Sequence, residues 1–196
     1  MTTIIEVPTN TPNDAGAQST RRQNAERGFE APKSLSDNLQ KVLVDLIELH
    51  LQGKQAHWNV VGRNFRDLHL QLDEIVDATR EFSDTVAERL RALHSVPDGR
   101  SGTVSTTTTL LQYPNGEVDT AETVDLVTAR IEAAVATMRE IHDEVDEADP
   151  TSADILHTMI ERLEQYAWMV SAENRSAAKA ASPQPVNTDP PATWEV

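Results

Sequence analysis

Four side chains that could bind a metal ion share one strip of a predicted helix. They are His69, Asp73, Asp84 and Glu88. Successive helical residues turn by about 100°, which places all four within an arc of roughly 100°. The apolar residues of the same helix centre on another side, roughly 265° from His69. The strip is therefore predicted to face something other than the protein core.

The axial spacing of these residues prevents all four from binding one ion within a single chain. At a rise of about 1.5 Å per residue, His69 and Asp84 lie roughly 22 Å apart, whereas metal–ligand bonds are near 2 Å long. An antiparallel copy of the helix across a two-fold axis would bring the His69–Asp73 pair of one subunit to the Asp84–Glu88 pair of the other. The spacing therefore predicts two equivalent metal sites per dimer.

His57 is the fifth candidate ligand. It ends the preceding predicted helix, and a short turn at Gly62 and Asn64 can return its imidazole towards His69. Two neutral histidines with two or three carboxylates form a ligand set that suits iron. The chain has no Glu-x-x-His motif, so a di-iron site inside a single bundle has no support.

A solvated helix face is the alternative interpretation of these carboxylates. Acidic residues that recur on a long helix are commonly paired with Lys or Arg. Arg80 and Arg89 are near enough along the same helix to neutralise the strip in this way. The spacing by itself leaves both interpretations open.

Helical periodicity of the apolar residues predicts four long helices, over 34–57, 65–94, 121–147 and from 150 onward. The connection 95–120 is rich in Thr, Gly and Pro, and we expect one short helix in it near Leu110. It is long enough to traverse a bundle from end to end. Two short turns and one long crossover indicate an all-α, ferritin-like four-helix bundle.

The ends of the chain differ in composition from the predicted bundle, which we assign to 34–178. Residues 1–33 lack periodicity and predict a flexible N-terminal arm, while the Pro-rich segment 179–196 predicts a C-terminal tail. The start of the chain has no secretory signal pattern, and no apolar run approaches the length of a membrane span. We therefore expect a cytoplasmic protein with no membrane partner.

Charge and cysteine content exclude several classes of function. The net charge of −15 argues against a generic nucleic-acid binder, because phosphates would be repelled. It suits a protein that handles cations, although a soluble acidic surface is the simpler explanation. The absence of Cys excludes disulfide scaffolds, thiolate metal sites and Cys nucleophiles.

Three segments of this sequence resemble the Dps family, the small ferritins named for DNA protection in starved cells. They are Lys54-Gln55-Ala56-His57-Trp58-Asn59-Val60-Val61-Gly62, Phe65-x-x-Leu68-His69-x-x-x-Asp73 and Asp84-x-x-Ala87-Glu88-Arg89. The similarity extends over about residues 34–175. It implies that the five candidate ligands are ferroxidase ligands: His57, His69, Asp73, Asp84 and Glu88.

The resemblance also implies an assembly and a reaction. A homododecameric shell of tetrahedral symmetry would oxidise Fe(II) at its dimer interfaces, preferably with hydrogen peroxide, and store ferric oxide inside. Removal of Fe(II) and peroxide together would protect DNA from oxidative damage. Trp58 would lie close to the iron and intercept oxidising radicals; its alternative role is that of a packing aromatic.

Further residues receive roles from the resemblance. Asp residues near the turn between the third and fourth helices would line a three-fold pore through which iron enters. Asp154 matches best, with Asp149 and Asp146 as further candidates. The alternatives are a helix cap for Asp149 and surface charge for Asp146. His50 matches no ligand of the family and is predicted to be a packed or interface histidine rather than a ligand, and no role is predicted for His94, His142 and His157.

DNA binding is the alternative function. Many Dps proteins bind DNA through Lys- or Arg-rich tails, and the candidates here are Arg21, Arg22 and Arg27. The acidic residues of 1–33 balance its basic ones, so this arm departs from the family pattern. A nucleoid-associated DNA-binding protein would depend on the combined weak charge of many arms.

Overall fold

The computed structural model of the chain describes residue 29 and residues 31–176. Most of these residues form four long helices, which are α1 (Lys33–Asn59), α2 (Phe65–Ala92), α4 (Thr120–Ala148) and α5 (Pro150–Ser171). The shorter elements are β1 (Val60–Val61), α3 (Ser101–Thr107), β2 (Val118–Asp119) and a 3-10 turn (Ala172–Asn174). The predicted arm up to residue 28 and the predicted tail, 179–196, lie outside the described residues.

The long helices form one bundle from two pairs. Each short connection joins two helices that pack against each other, α1 with α2 and α4 with α5, and α1 also packs along α4. A crossover of residues 93–119 joins the pairs. This connectivity confirms the predicted four-helix bundle. None of the described helices combines the length and apolar character needed to cross a membrane.

The predicted apolar stripes meet in a single core. Leucines of α1 such as Leu39 and Leu46 pack with Leu72 of α2, Ile131 of α4 and Leu163 of α5, all at most 1% exposed. Burial of one such side chain stabilises the fold by about 1.5–3 kcal/mol. The core therefore holds the four long helices in a fixed relation and sets the position of any side chain on their outer faces.

A small parallel pairing closes the turn between α1 and α2, which the all-α prediction did not include. Val60 of β1 pairs with Val118 of β2, and Val61 pairs with Asp119. Gly62 follows with a φ of +118°, and a Cβ added there would lie 3.3 Å from Oγ1 of Thr120. Only glycine suits this backbone. The turn is thereby fixed against the start of α4.

A buried carboxylate anchors the crossover to the bundle. Asp45 of α1 is 1% exposed, and its Oδ1 accepts hydrogen bonds from Thr108 Oγ1 at 2.9 Å and Thr109 N at 2.8 Å. Its Oδ2 accepts from the hydroxyls of Thr109 and Thr137, each at 2.7 Å. A buried carboxylate is tolerated only with such partners. Asp45 therefore fixes where the crossover lies.

The short helix predicted in the crossover is present, and the same contacts explain why it ends before Leu110. Helix α3 ends at Thr107, three residues before Leu110. Bonds from Thr108 and Thr109 to Asp45 hold the chain in a non-helical conformation, and Leu110, 5% exposed, packs into the core. Leu110 therefore holds the crossover against the core and is not part of a helix.

Candidate metal centre

His57 and His69 meet because α1 and α2 approach each other closely. A Cβ added at Gly53 of α1 would lie only 3.0 Å from Cγ2 of Val76 on α2, so glycine permits this approach. His57 lies in the last turn of α1 and His69 near the start of α2. Their imidazole rings stack with centroids 3.7 Å apart. The turn at Gly62 thus returns the chain as the sequence predicted.

Hydrogen bonds fix the orientation of both imidazoles. Nδ1 of His57 lies 3.0 Å from the carbonyl oxygen of His69, and Nδ1 of His69 lies 3.0 Å from the carbonyl oxygen of His57. Because a carbonyl oxygen only accepts, each Nδ1 carries a proton and donates it. A neutral ring in this tautomer keeps its lone pair on Nε2, which is the form that binds a metal ion.

Asp73 completes a cluster of three potential ligands. The ligand-capable atoms of His57, His69 and Asp73 all lie within 4.8 Å of one another. Asp73 follows His69 by one helical turn, and its Oδ1 lies 3.2 Å from Nδ1 of His57. His57 is buried, whereas His69 and Asp73 are half-buried. The cluster is therefore closed on the side of His57 and open on the other.

Lys54 is a further residue of this cluster, and its role was not predicted from the sequence. Its Nζ lies 2.5 Å from Oδ1 of Asp73. This hydrogen bond lowers the pKa of Asp73 below its ordinary value, against the opposing effect of burial, and the charges of nearby groups lower it further. Asp73 is therefore a carboxylate with a cation already beside it. The available signal was the spacing, since Lys54 precedes His57 by three residues and so shares its helical face.

Asp84 and Glu88 lie on the same helix as His69 but apart from the cluster. Both are exposed, and Asp84 follows Asp73 by eleven positions, or roughly 16 Å of helix. Within the described chain, the structure thus brings together three of the five candidate ligands and separates the other two. A site that includes all five needs a second subunit.

Arg80 and Arg89, the two arginines that could have neutralised the acidic strip, do not pair with its carboxylates within the protomer. Arg89 donates from Nη2 to Oδ2 of Asp149 at 2.6 Å and from Nε to Oγ of Ser152 at 3.1 Å. It therefore links α2 to the start of α5. Among the ion pairs of the described residues, Arg80 forms none with Asp84 or Glu88. Within the protomer, these two carboxylates thus lack the predicted neutralising partners.

Trp58 points away from the protomer core. Its side chain is 68% exposed although it directly follows the buried His57. Packing within the protomer therefore does not account for this aromatic residue. A tryptophan so exposed beside a candidate site is more typical of a surface that another chain covers.

The three candidate pore aspartates differ in their surroundings. Asp146 and Asp154 are exposed near the turn from α4 to α5. Asp149 is buried and accepts hydrogen bonds from Arg89 and from Oγ of Ser152. Burial alone would raise the pKa of Asp149, but these bonds outweigh it and hold the pKa below its ordinary value. Its oxygens are occupied within the protomer, and this favours a structural role.

The candidate DNA-binding residues Arg21, Arg22 and Arg27 lie outside the described residues. His50 is described and is half-buried. Burial, followed by the charges of Arg80 and Lys54, lowers its pKa.

Sequence comparisons relate the chain to known proteins. Residues 36–178 match the family model described as ferritin-like domain. The chain is 33% identical over 145 residues to DNA protection during starvation protein 2 of Deinococcus radiodurans, a match that spans 74% of this chain and 60% of that protein. It is 34% identical over 147 residues to the DNA protection during starvation protein of Mycolicibacterium smegmatis, covering 73% of this chain and 78% of the relative.

Solved structures show the same relationship. Dps92 from Deinococcus radiodurans superposes with a TM-score of 0.70 at 33% identity, over 71% of this chain and 85% of that one. DpsA14 from Streptomyces coelicolor superposes with a TM-score of 0.71 at 34% identity, over 76% and 89% of the two chains. The chain therefore belongs to the Dps family, within the ferritin-like superfamily.

Proposed function

We propose that this protein is a ferroxidase that oxidises Fe(II) with hydrogen peroxide and stores the ferric product. The observation that carries the proposal is the reciprocal hydrogen bonding of His57 and His69. It leaves the Nε2 lone pair of both rings free for a metal ion, and Asp73 completes a cluster whose ligand-capable atoms lie within 4.8 Å of one another. Membership of the Dps family supports iron as the metal.

The complete site lies between two subunits. One subunit supplies His57, His69 and Asp73, and the other supplies Asp84 and Glu88. A two-fold axis that relates antiparallel α2 helices repeats the arrangement, so each dimer has two sites roughly 22 Å apart. Separation of the two ligand groups along α2 supports this geometry, because neither group by itself satisfies an iron ion.

Exposed apolar side chains on α1 and α2 support the same dimer. Leu51 is 50% exposed, Trp58 68%, Phe65 42% and Leu70 48%. The ring of Phe65 lies 5.1 Å from that of His69, centroid to centroid, and Leu70 directly follows His69. Large apolar side chains around a half-complete ligand set are typical of an interface. A second copy of this chain would cover them and deliver the missing carboxylates.

The chemistry needs two electrons for each peroxide. Two Fe(II) ions give up one electron each, the O–O bond breaks, and with two protons the products are two waters and two Fe(III). Two-electron reduction avoids release of a hydroxyl radical. The carboxylates of Asp73, Asp84 and Glu88 favour the higher charge of Fe(III) over Fe(II). Lys54 must leave Asp73 when iron arrives, and the exposed side of the cluster gives it room.

Storage requires an enclosed space, and we propose the dodecameric shell of the family. Iron would enter through three-fold pores lined by Asp146, in the last turn of α4, and Asp154, near the start of α5, both of which are exposed. The net charge of −15 attracts Fe(II) to such a shell. Consumption of Fe(II) and peroxide would protect DNA, the role that the relatives' names state.

The double variant His69→Ala/Asp73→Ala tests the ferroxidase proposal. We expect peroxide-driven Fe(II) oxidation to slow at least tenfold, since each change removes a ligand, while the native mass stays near twelve subunits. The matched control is His94→Ala/Asp67→Ala, which removes one exposed histidine and one exposed aspartate outside the proposed ligand set and should oxidise at the normal rate. Unchanged kinetics in the first variant would refute the site.

A further inference from the structure

His142 of α4 and His157 of α5 form a second pair of histidines, far along the chain from the iron ligands. Their Nε2 atoms lie 2.6 Å apart, and their rings stack with centroids 4.5 Å apart. The side chain of His157 is 60% exposed and that of His142 is 22% exposed. The packing of α4 on α5 therefore brings two imidazole nitrogens to one accessible point.

A carboxylate lies beside the other nitrogen of each ring. Oδ1 of Asp143 is 3.3 Å from Nδ1 of His142, and Oδ1 of Asp154 is 3.7 Å from Nδ1 of His157. A carboxylate at Nδ1 favours the tautomer that carries its proton there and leaves the lone pair on Nε2. Both lone pairs then point at the same place, and they repel each other unless a cation lies between them.

We propose that His142 and His157 bind a divalent transition-metal ion. A histidine that binds a metal ion through one ring nitrogen usually donates a hydrogen bond from the other to a carboxylate or carbonyl group. A tetrahedral ion with bonds near 2.05 Å would separate the two nitrogens to roughly 3.3 Å. The exposed ring of His157 can make that small movement. A site with two imidazole nitrogens binds Zn²⁺, Co²⁺, Ni²⁺ or Cu²⁺ more tightly than Mg²⁺ or Ca²⁺.

The surroundings provide space and the right charge. The pair lies in a groove of about 390 Å³ that is also lined by Asp143, Glu161 and Glu164, so water or Glu161 can supply the remaining ligands. Arg139 is the cation of this groove, and its Nε donates to Oε1 of Glu164 at 2.9 Å. Its charge is thereby balanced, and the net charge around the histidines favours a cation.

This site is distinct from the iron centre and does not depend on it. His57 and His69 lie on α1 and α2, whereas the second pair lies on α4 and α5. The alternative for His142 and His157 is a plain hydrogen bond, in which a proton takes the place of the metal ion. The two cases differ in whether Zn²⁺ binds, and they can be separated without measuring iron oxidation.

Zn²⁺ titration of the full chain tests the proposal. The His69→Ala/Asp73→Ala background weakens binding at the iron centre, and Co²⁺ absorption provides a second readout. We expect about one Zn²⁺ per subunit that Mg²⁺ in excess does not displace. Adding His157→Gln should weaken this binding at least tenfold, whereas adding His94→Gln, a change at another exposed histidine, should leave it unchanged.

A third substitution examines the carboxylates. Asp143→Asn keeps both ligands but removes the charge beside Nδ1 of His142, and we expect a loss of Zn²⁺ affinity of about tenfold. Native mass and circular dichroism establish that each variant is folded and assembled. Zn²⁺ binding with equal affinity in the His157→Gln and His94→Gln proteins, or no Zn²⁺ binding in the parent background, would overturn the proposal.

Discussion

His57 and His69 each donate from Nδ1 to the backbone carbonyl of the other, at 3.0 Å in both directions. Neither ring can rotate without loss of its hydrogen bond, and each ring also stacks on the other. The two histidines are thus held before any metal ion binds. Preorganised ligands lose little conformational freedom on binding. The order of the cluster before binding should therefore favour metal binding.

Lys54→Met should tighten binding of Fe(II). The ammonium group of Lys54 competes with the metal ion for Oδ1 of Asp73, from which it lies 2.5 Å. Its removal should increase the affinity about three- to tenfold, as expected for a partly exposed ion pair. Anaerobic Fe(II) titration measures the change, with Lys41→Met on the same helix as the control. Weaker binding in Lys54→Met would instead mean that the lysine positions Asp73 for the metal.

Asp149→Asn should lower the stability of the protein above acidic pH. Hydrogen bonds from Arg89 and Ser152 outweigh the effect of burial and lower the pKa of Asp149 below its ordinary value of 3.8. The bonds to the carboxylate therefore stabilise the fold fully above pH 3.8, and this contribution is lost as the pH falls through the lower pKa of the folded state.

We expect Asp149→Asn to cost about 1–3 kcal/mol at neutral pH. Guanidinium unfolding as a function of pH measures this cost, with Glu147→Gln, an exposed residue in the last turn of α4, as the control. The difference between wild type and Asp149→Asn should shrink in strong acid. A difference that is the same at every pH would show that the carboxylate charge has no part in the bond to Arg89.

Asp45→Ala should release the crossover from the bundle. Its carboxylate is 1% exposed and accepts four hydrogen bonds, from Thr108, Thr109 and Thr137. Loss of this acceptor leaves buried donors without partners and should cost about 2–4 kcal/mol. Hydrogen exchange should accelerate in residues 108–110 more than in α2. Asp37→Ala, which changes an exposed residue of the same helix, is the control, and hydrogen exchange of residues 108–110 should stay as in wild type.

Much of the fold was predictable because its signal is local. Apolar periodicity predicted the four long helices with bounds within two residues of those observed. The end of α2 at Ala92, two residues before the predicted end, depends on the backbone that follows it. His94 follows with a φ of +62°, and Ser95 N bonds to the carbonyl of Leu90 at 2.9 Å. Histidine is an uncommon residue for this conformation, so no local signal in the sequence marks the end of α2 at Ala92.

The part of the candidate site that lies on a single helix was predictable from the sequence. Spacing along α2 gave His69 and Asp73 as a pair and separated them from Asp84. It gave no indication of Lys54, whose contact with Asp73 depends on how closely α1 approaches α2. The pair His142–His157 was missed for the same reason, since fifteen positions separate residues that meet only through the packing of α4 on α5.

DNA binding by Arg21, Arg22 and Arg27 is the alternative function, and salt dependence tests it. The net charge of the chain is −15, and repulsion from phosphates grows as the shell assembles. We expect no gel retardation of duplex DNA at physiological salt. Retardation that persists there and disappears in Arg21→Gln/Arg22→Gln/Arg27→Gln would establish the arm as a DNA-binding element.

Mixed shells provide the most direct test of a metal site shared between subunits. His69→Ala/Asp73→Ala and Asp84→Ala/Glu88→Ala are each expected to be inactive in peroxide-driven Fe(II) oxidation. When the two variants are coexpressed with different tags and purified as mixed shells, a dimer with one subunit of each kind has one complete site. Random pairing then predicts recovery of about a quarter of the wild-type rate. Mixed shells that stay as inactive as the separate variants would contradict the shared site.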